Sequence, residues 1–190
     1  MSIDRPAPAA ITGLILAGGA GRRMGGADKG WVVYQGTPLI ESVLARLTPQ
    51  VDGILISANR TLERYAALGY PVVQDDSSDF QGPLAGILAG LAACPTPWLQ
   101  LAPCDTPYFP DDLVHRLRSA ARQLACTPVV NRREQWVFTL LHKDAHAPLQ
   151  QLFAQGERTL GKVLSSLPLD LLQINALEPR DFLNINTRTG

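Results

Sequence analysis

Glycines 18, 19 and 21, followed by Arg22, Arg23 and Lys29, make up the most chemically suggestive stretch of the chain, 14-LILAGGAGRRMGGADKGW-31. Glycine lets backbone N–H groups approach an anion without interference from a Cβ. Guanidinium and ammonium groups add charged donors that suit phosphate oxygens. A phosphate-bearing ligand is the expectation for such a loop. Two familiar glycine loops do not fit. A Walker loop needs GxxxxGK[ST], and Lys29 here follows Asp28 and precedes Gly30. The dinucleotide fingerprint needs GxGxxG, and Gly19-x-Gly21 is followed by Gly25, one residue too late.

Such a loop needs a rigid mount. Ile11–Leu16 is nearly all apolar, as a strand covered on both faces should be. Ile54–Ile56, Val72–Val73 and Trp98–Ala102 share that character. Between them lie helical patterns. Leu39–Leu47 has apolar residues at 39, 40, 43, 44 and 47, and Thr61–Leu68 can be terminated by Gly69. Pro83–Ala93 and Asp111–Leu124 read as two further helices, the second started by Pro110-Asp111-Asp112. This alternation predicts a three-layer α/β fold with a mostly parallel central sheet. From Val129 the pattern loosens. Trp136–Leu141 and Leu169–Ile174 are candidates for antiparallel strands, around a helix near Pro148–Phe153. The glycine loop then sits at the carboxyl edge of the sheet, where open α/β sheets bind ligands.

Composition narrows the class. A length of 190 residues predicts one domain over 11–190, preceded by a short flexible leader at 1–10. Lys+Arg and Asp+Glu balance at 17 each, so no global charge points to nucleic acid or a membrane surface. No apolar run approaches the ~18 residues of a membrane span. The cysteines, Cys94, Cys104 and Cys126, are odd in number and scattered. Free buried thiols in a reducing cytoplasm are the expectation, rather than a disulfide framework or zinc site. His115, His142 and His146 have no triad-like partners and read as surface or packing residues.

The ordered spacing LAGG-x3-RMGG-x-DK closely resembles the signature of the molybdenum cofactor guanylyltransferases, the MobA family, within the wider nucleotidyltransferases. The resemblance continues through 57-SANR-60, 74-QDD-76, 82-GPLAGI-87, 103-PCDTP-107, 156-GER-158 and 183-LNINT-187, and so covers nearly the whole chain. It implies a Rossmann-like nucleotidyltransferase fold and a role for each block. Leu16, Ala17 and Gly18 would contact guanine and ribose. Gly19, Gly21 and Arg23 would wrap the phosphates, and Lys29 would neutralise triphosphate charge. Asp75 would recognise guanine, since a carboxylate can accept from both N1–H and the N2 amino group. Asp105 would bind Mg²⁺, which is content with one or two protein oxygens plus phosphate oxygens and water. Gly82 opens a helix N-terminus near the nucleotide, Asn184 and Asn186 would lie near the metal and second substrate, and Ser57 stands where relatives often carry Asn. Simpler readings accompany these: a turn-forming Asp105, a solvated Asp76, and asparagines as strand-end caps.

The implied reaction joins GTP to molybdenum-bound molybdopterin (molybdenum-molybdopterin) and releases pyrophosphate. The acceptor phosphate is already an adequate nucleophile, so catalysis would be positioning plus charge stabilisation by Lys29, Asp105 and Arg23. Arg158 and Lys162 are candidates to hold the anionic acceptor, with a solvated helix face as the alternative. Arg133-Glu134-Gln135-Trp136 departs from a common family pattern on the acceptor side. The resemblance also implies transient contact with molybdenum-insertion proteins and apo-molybdoenzymes. Other readings are a cytidylyltransferase on the same cofactor, a sugar-phosphate nucleotidyltransferase, and a nucleotide-binding module without catalysis.

Overall fold

In the computed structural model the apolar run Ile11–Leu16 forms β1, the strand flanked by β4 (Gly53–Ser57) and β6 (Trp98–Pro103), both parallel to it. The structure describes residues 10–17, 28–75, 82–175 and 180–185. After β1 come a short antiparallel hairpin, β2 (Val33–Tyr34) with β3 (Thr37–Pro38), and helix α1 (Leu39–Leu47). The chain continues through α2 (Leu62–Ala66), β5 (Val72–Val73), α3 (Pro83–Ala93) and α4 (Leu113–Ala120). Beyond these lie β7 (Ala125–Val130), β8 (Arg133–Glu134), β9 (Leu140–His142), α5 (His146–Ala154), α6 (Leu160–Ser165) and β10 (Leu169–Gln173). The large sheet runs β10-β7-β9-β6-β1-β4-β5, with β8 hung on β7.

Side-chain alternation splits the core in two. Ile11 and Ile15 point to the face covered by α1 and α4, against Ile40, Val43, Leu47, Val114 and Leu117. Leu14 points to the face covered by α3, α5 and α6, against Leu84, Ile87, Leu91, Leu149 and Val163. Both faces are covered, which is why the strands read as largely apolar runs rather than alternating ones. The result is the expected three-layer, mostly parallel α/β fold. Among the described residues no helix is long and apolar enough to cross a membrane.

The second half departs from expectation in four places. Trp136–Phe138 is a 3-10 turn, not a strand, with Thr139 donating from both N and Oγ1 to the Trp136 carbonyl. Only Leu140–His142 pairs, antiparallel between β6 and β7. β10 runs parallel to β7 rather than antiparallel, because α5 and α6 supply the crossover that a parallel return needs. Helix α4 stops at Ala120, where the Asp170 carboxylate captures the backbone N–H groups of Arg122 and Gln123 at 2.6 and 2.9 Å. The next segment, Ala125–Val130, is a wholly buried strand that the sequence disguises with Pro128, a residue normally kept out of strand interiors. Likewise α2 is shorter than Thr61–Leu68, although Gly69, at φ +84°, ends that turn as expected.

Candidate active site

Three parallel strands end shoulder to shoulder. Leu16 is in register with Ser57 on one side and Pro103 on the other. The alignment extends past the strands: Ala17 N–H donates to the Ser57 carbonyl at 2.9 Å, and Cys104 N–H to the Leu16 carbonyl at 3.2 Å. Leu16, Ala17, Ser57 and Asp105 are thereby gathered at one carboxyl edge, as the parallel order requires. Asp75 follows β5 at the end of the same edge, where Ala58 N–H still donates to the Val73 carbonyl.

Lys29 and Asp105, 76 positions apart, meet there. Lys29 Nζ donates to Asp105 Oδ2 at 2.9 Å, with side-chain exposures of 35% and 13%. The same oxygen accepts from Asn184 Nδ2 at 3.1 Å, and Asp105 Oδ1 has a long contact with Thr106 Oγ1 at 3.4 Å. Backbone pairing fixes the last segment to this spot, since Ile185 N–H donates to the Asp105 carbonyl and Phe182 N–H to that of Tyr108. The neighbouring Cys104 thiol is buried, and burial followed by the Asp105 charge pushes its pKa up, so it remains a protonated bystander.

Asp75 is held by Asn59 at both its side chain and its backbone. Asn59 Nδ2 donates to its Oδ2 at 2.7 Å, and Asn59 Oδ1 accepts from its backbone N–H at 3.2 Å. The carboxylate also lines a groove of about 790 Å³ between α3 and α5, with Val73, Ala85 and Leu88. Gly82, at φ +82°, turns the chain into α3, whose first residue is Pro83. Gly18, Gly19, Gly21, Arg22, Arg23, Asp76 and Asn186 lie outside the described residues.

Ser57 is 3% exposed and sits under α3, and a Cβ added at Gly86 would overlap its Oγ. The GPLAG glycine therefore lets the helix close onto the end of β4. Gly86→Ala gains helix propensity of up to about 1 kcal/mol but overpacks a site where such insertions cost about 1–3 kcal/mol. A net loss of about 1–2 kcal/mol, or roughly 2–8 °C in Tm, is expected for a domain of this size. Adding Ser57→Ala should restore most of it, because Ser57 Cβ lies 3.4 Å away, near ordinary contact. A double variant no more stable than Gly86→Ala would show that the strain lies elsewhere.

The acceptor-side candidates have intramolecular partners. Arg158 Nη1 donates to the carbonyls of Phe153 (2.6 Å) and Glu157 (2.9 Å), and its guanidinium lies 3.8 Å from the Phe153 ring centroid. It closes the end of α5. Glu157 accepts from the backbone N–H groups of Thr159 and Arg158, which hold its pKa down, and Lys162 Nζ stands 3.9 Å from it. His142 packs as expected, edge-on against Trp98 with centroids 4.9 Å apart, while His146 lines the same groove as Asp75. Asn59, Asp28, Thr61 and Tyr65 were not singled out in the sequence, although the SANR block and the acid beside Lys29 carried a signal.

The match to known proteins follows the same residues. Residues 13–171 fit the family model of the MobA-like NTP transferase domain. The chain is 44% identical over 185 residues to the molybdenum cofactor guanylyltransferase of Cupriavidus taiwanensis, covering 93% of this chain and 92% of that one. Among solved structures it is similar to molybdopterin-guanine dinucleotide biosynthesis protein A of Archaeoglobus fulgidus (TM-score 0.74, 23% identity, 93% of each chain). A Mycobacterium tuberculosis protein solved as a complex with manganese is also similar (TM-score 0.72, 17% identity, 94% of each chain). The chain is a nucleotidyltransferase of the MobA-like NTP transferase family and belongs to its molybdenum cofactor guanylyltransferases.

Proposed function

We propose that this chain transfers GMP from GTP to molybdenum-molybdopterin, forming the guanine dinucleotide cofactor and releasing pyrophosphate, with Mg²⁺ held at Asp105. The observation that carries the reading is the Lys29–Asp105–Asn184 cluster at the joint carboxyl edge of β1 and β6, with Asp75 farther along. It pairs a phosphate-seeking cation with a carboxylate of metal-binding type, flanked by a second carboxylate suited to guanine.

The donor set fits a hard divalent ion. Asp105 Oδ1 is engaged only by the long Thr106 contact among the described residues, so an oxygen is available without dismantling the site. Those residues contain no cluster of three His, Cys, Asp or Glu side chains. That matches an ion held by one carboxylate and completed by phosphate oxygens and water. When bound, such an ion supplies neutralisation of charge on the phosphates during attack at the α-phosphorus. The chain's own groups do the rest. Lys29, with a third of its side chain exposed, turns to the triphosphate. Asn184 steadies Asp105 as Lys29 leaves it. Asp75 accepts from the guanine N1–H and N2 amino groups, and Leu16 and Ala17 line the base and ribose. The N-terminus of α3 at Gly82 favours the anion. Gly18, Gly19, Gly21 and Arg23 complete the phosphate cradle. The scattered free thiols fit a cytoplasmic setting, and molybdenum-insertion proteins and apo-molybdoenzymes are the proposed transient partners.

The test is a nucleotide panel: each labelled NTP with Mg²⁺ and molybdenum-molybdopterin, reading pyrophosphate and dinucleotide. Product is expected from GTP alone, and comparable turnover of CTP would overturn the guanine assignment. In the same panel Asp75→Asn is expected to weaken GTP binding by about 10–100-fold, the scale of a lost hydrogen bond to a charged group. ATP binding should hardly change, and equal losses for both nucleotides would remove Asp75 from base selection.

A further inference from the structure

We infer that Tyr65 is a positioning residue for Lys29, acting through Asp28. Resting on the functional reading above only for its catalytic consequence, the inference comes from a buried hydroxyl that the reaction itself does not use. Tyr65 is fully buried in α2, and its hydroxyl donates to Asp28 Oδ1 at 2.6 Å. The same oxygen accepts from Gly30 N–H at 3.2 Å, while Asp28 Oδ2 accepts from Thr61 Oγ1 at 2.6 Å. Asp28 thus caps the single 3-10 turn Lys29–Trp31, and its oxygens are tied to Thr61 in the β4–α2 connection and to Tyr65 in α2. The turn sets the direction in which Lys29 leaves the backbone, which is toward Asp105.

Three further features show that this contact is built rather than incidental. A Cβ on Gly30 would collide with the Tyr65 hydroxyl, so the approach of the two segments depends on glycine there. Thr61 holds a left-handed backbone, φ +46° and ψ +36°, an uncommon conformation for a β-branched residue. Trp31 and Tyr65 stack with centroids 5.1 Å apart, and the Arg64 guanidinium lies 3.8 Å from the Trp31 ring centroid on the same helix–turn contact. Burial, then the hydrogen bond to Asp28, pushes the phenol pKa up, so the proton stays on Tyr65 and the donation to Asp28 persists. The connection carries Asn59 as well, the residue that grips Asp75. One short segment therefore sets both the base-side carboxylate and the phosphate-side cation.

The test reads Lys29 directly. Intact protein without nucleotide is pulse-labelled with acetic anhydride, and Lys29 modification is followed by peptide mass spectrometry. In Tyr65→Phe, which keeps the ring stack, Lys29 labelling is expected to rise about tenfold over wild type, the scale of one hydrogen bond to a charged group. Thr61→Ala should move it in the same direction, and Thr61→Ser, which keeps the hydroxyl, should not. Thr61 is exposed, so this pair carries the test if Tyr65→Phe fails to fold. Turnover should fall about tenfold in Tyr65→Phe, as misplacement of a charged group does, with the acceptor KM unchanged. Unaltered Lys29 labelling in folded Tyr65→Phe and Thr61→Ala proteins would overturn the inference. Labelling that rises in the variants while the wild-type protein itself turns over no GTP would keep it and overturn the substrate assignment instead.

Discussion

Asp105→Ala is expected to lower the rate of dinucleotide formation by about 10²-fold or more, the scale seen when one preorganised electrostatic group is removed. The carboxylate sits two residues past the end of β6 and is joined by Lys29 and Asn184 on one oxygen. Its loss removes the proposed metal ligand and the resting-state partner of Lys29. The fold should survive, because a partly exposed ion pair contributes only about 0–1 kcal/mol and Asp105 adds little to the apolar core. GTP affinity should fall less than turnover, since Lys29 and the glycine loop remain. Near-normal turnover by a folded Asp105→Ala protein would move the metal elsewhere, and Asn184 would be the next residue to replace.

Lys29→Met should be of similar size but split differently. Removing the ammonium takes away ground-state contact with the triphosphate as well as charge stabilisation later, so KM for GTP should rise about tenfold and kcat fall about 10²-fold. The double variant with Asp105→Ala is the informative measurement. Groups that act as a unit are strongly non-additive. The pair in one protein should cost far less than the product of the two single losses. Strict multiplication in kcat/KM would show that the two residues work independently and that their 2.9 Å contact is a resting-state feature with no catalytic meaning.

Most of the first half of the chain was legible because its long elements obey one rule each, while the short β2–β3 hairpin and the exact extent of α2 gave no such signal. Buried parallel strands are apolar throughout, and Pro83 and the apolar spacing at 39–47 mark helices without ambiguity. The second half hides its organisation in exceptions. β7 contains a proline, β9 is three residues long, and Asp170, which stops the chain after α4, comes from a distant strand. Local pattern cannot report a contact 48 positions away. The site divides the same way. Lys29, Asp75 and Asp105 stood out through the resemblance of their blocks to a known family, supported by charge and, for the two aspartates, by place after apolar runs. Asn59 and Tyr65 could not, because an asparagine in a connection and a tyrosine in a helix are ordinary until the fold brings them to Asp75 and Asp28.

The pairing of β1 also governs how the chain can emerge during synthesis. Ile11 pairs with Trp98 and Leu16 with Pro103, so one flank of the central strand has no partner until more than half the polypeptide exists. At roughly 5–20 residues per second, β1 waits several seconds with an open edge. During that interval Ile11–Leu16 gains β4 and α1 early, and α3 just before β6. The cover for its other face, α3, precedes β6 by only a short connection. A nascent chain halted before Trp98 therefore presents a row of unpaired N–H and C=O groups beside apolar side chains, the template on which chains associate.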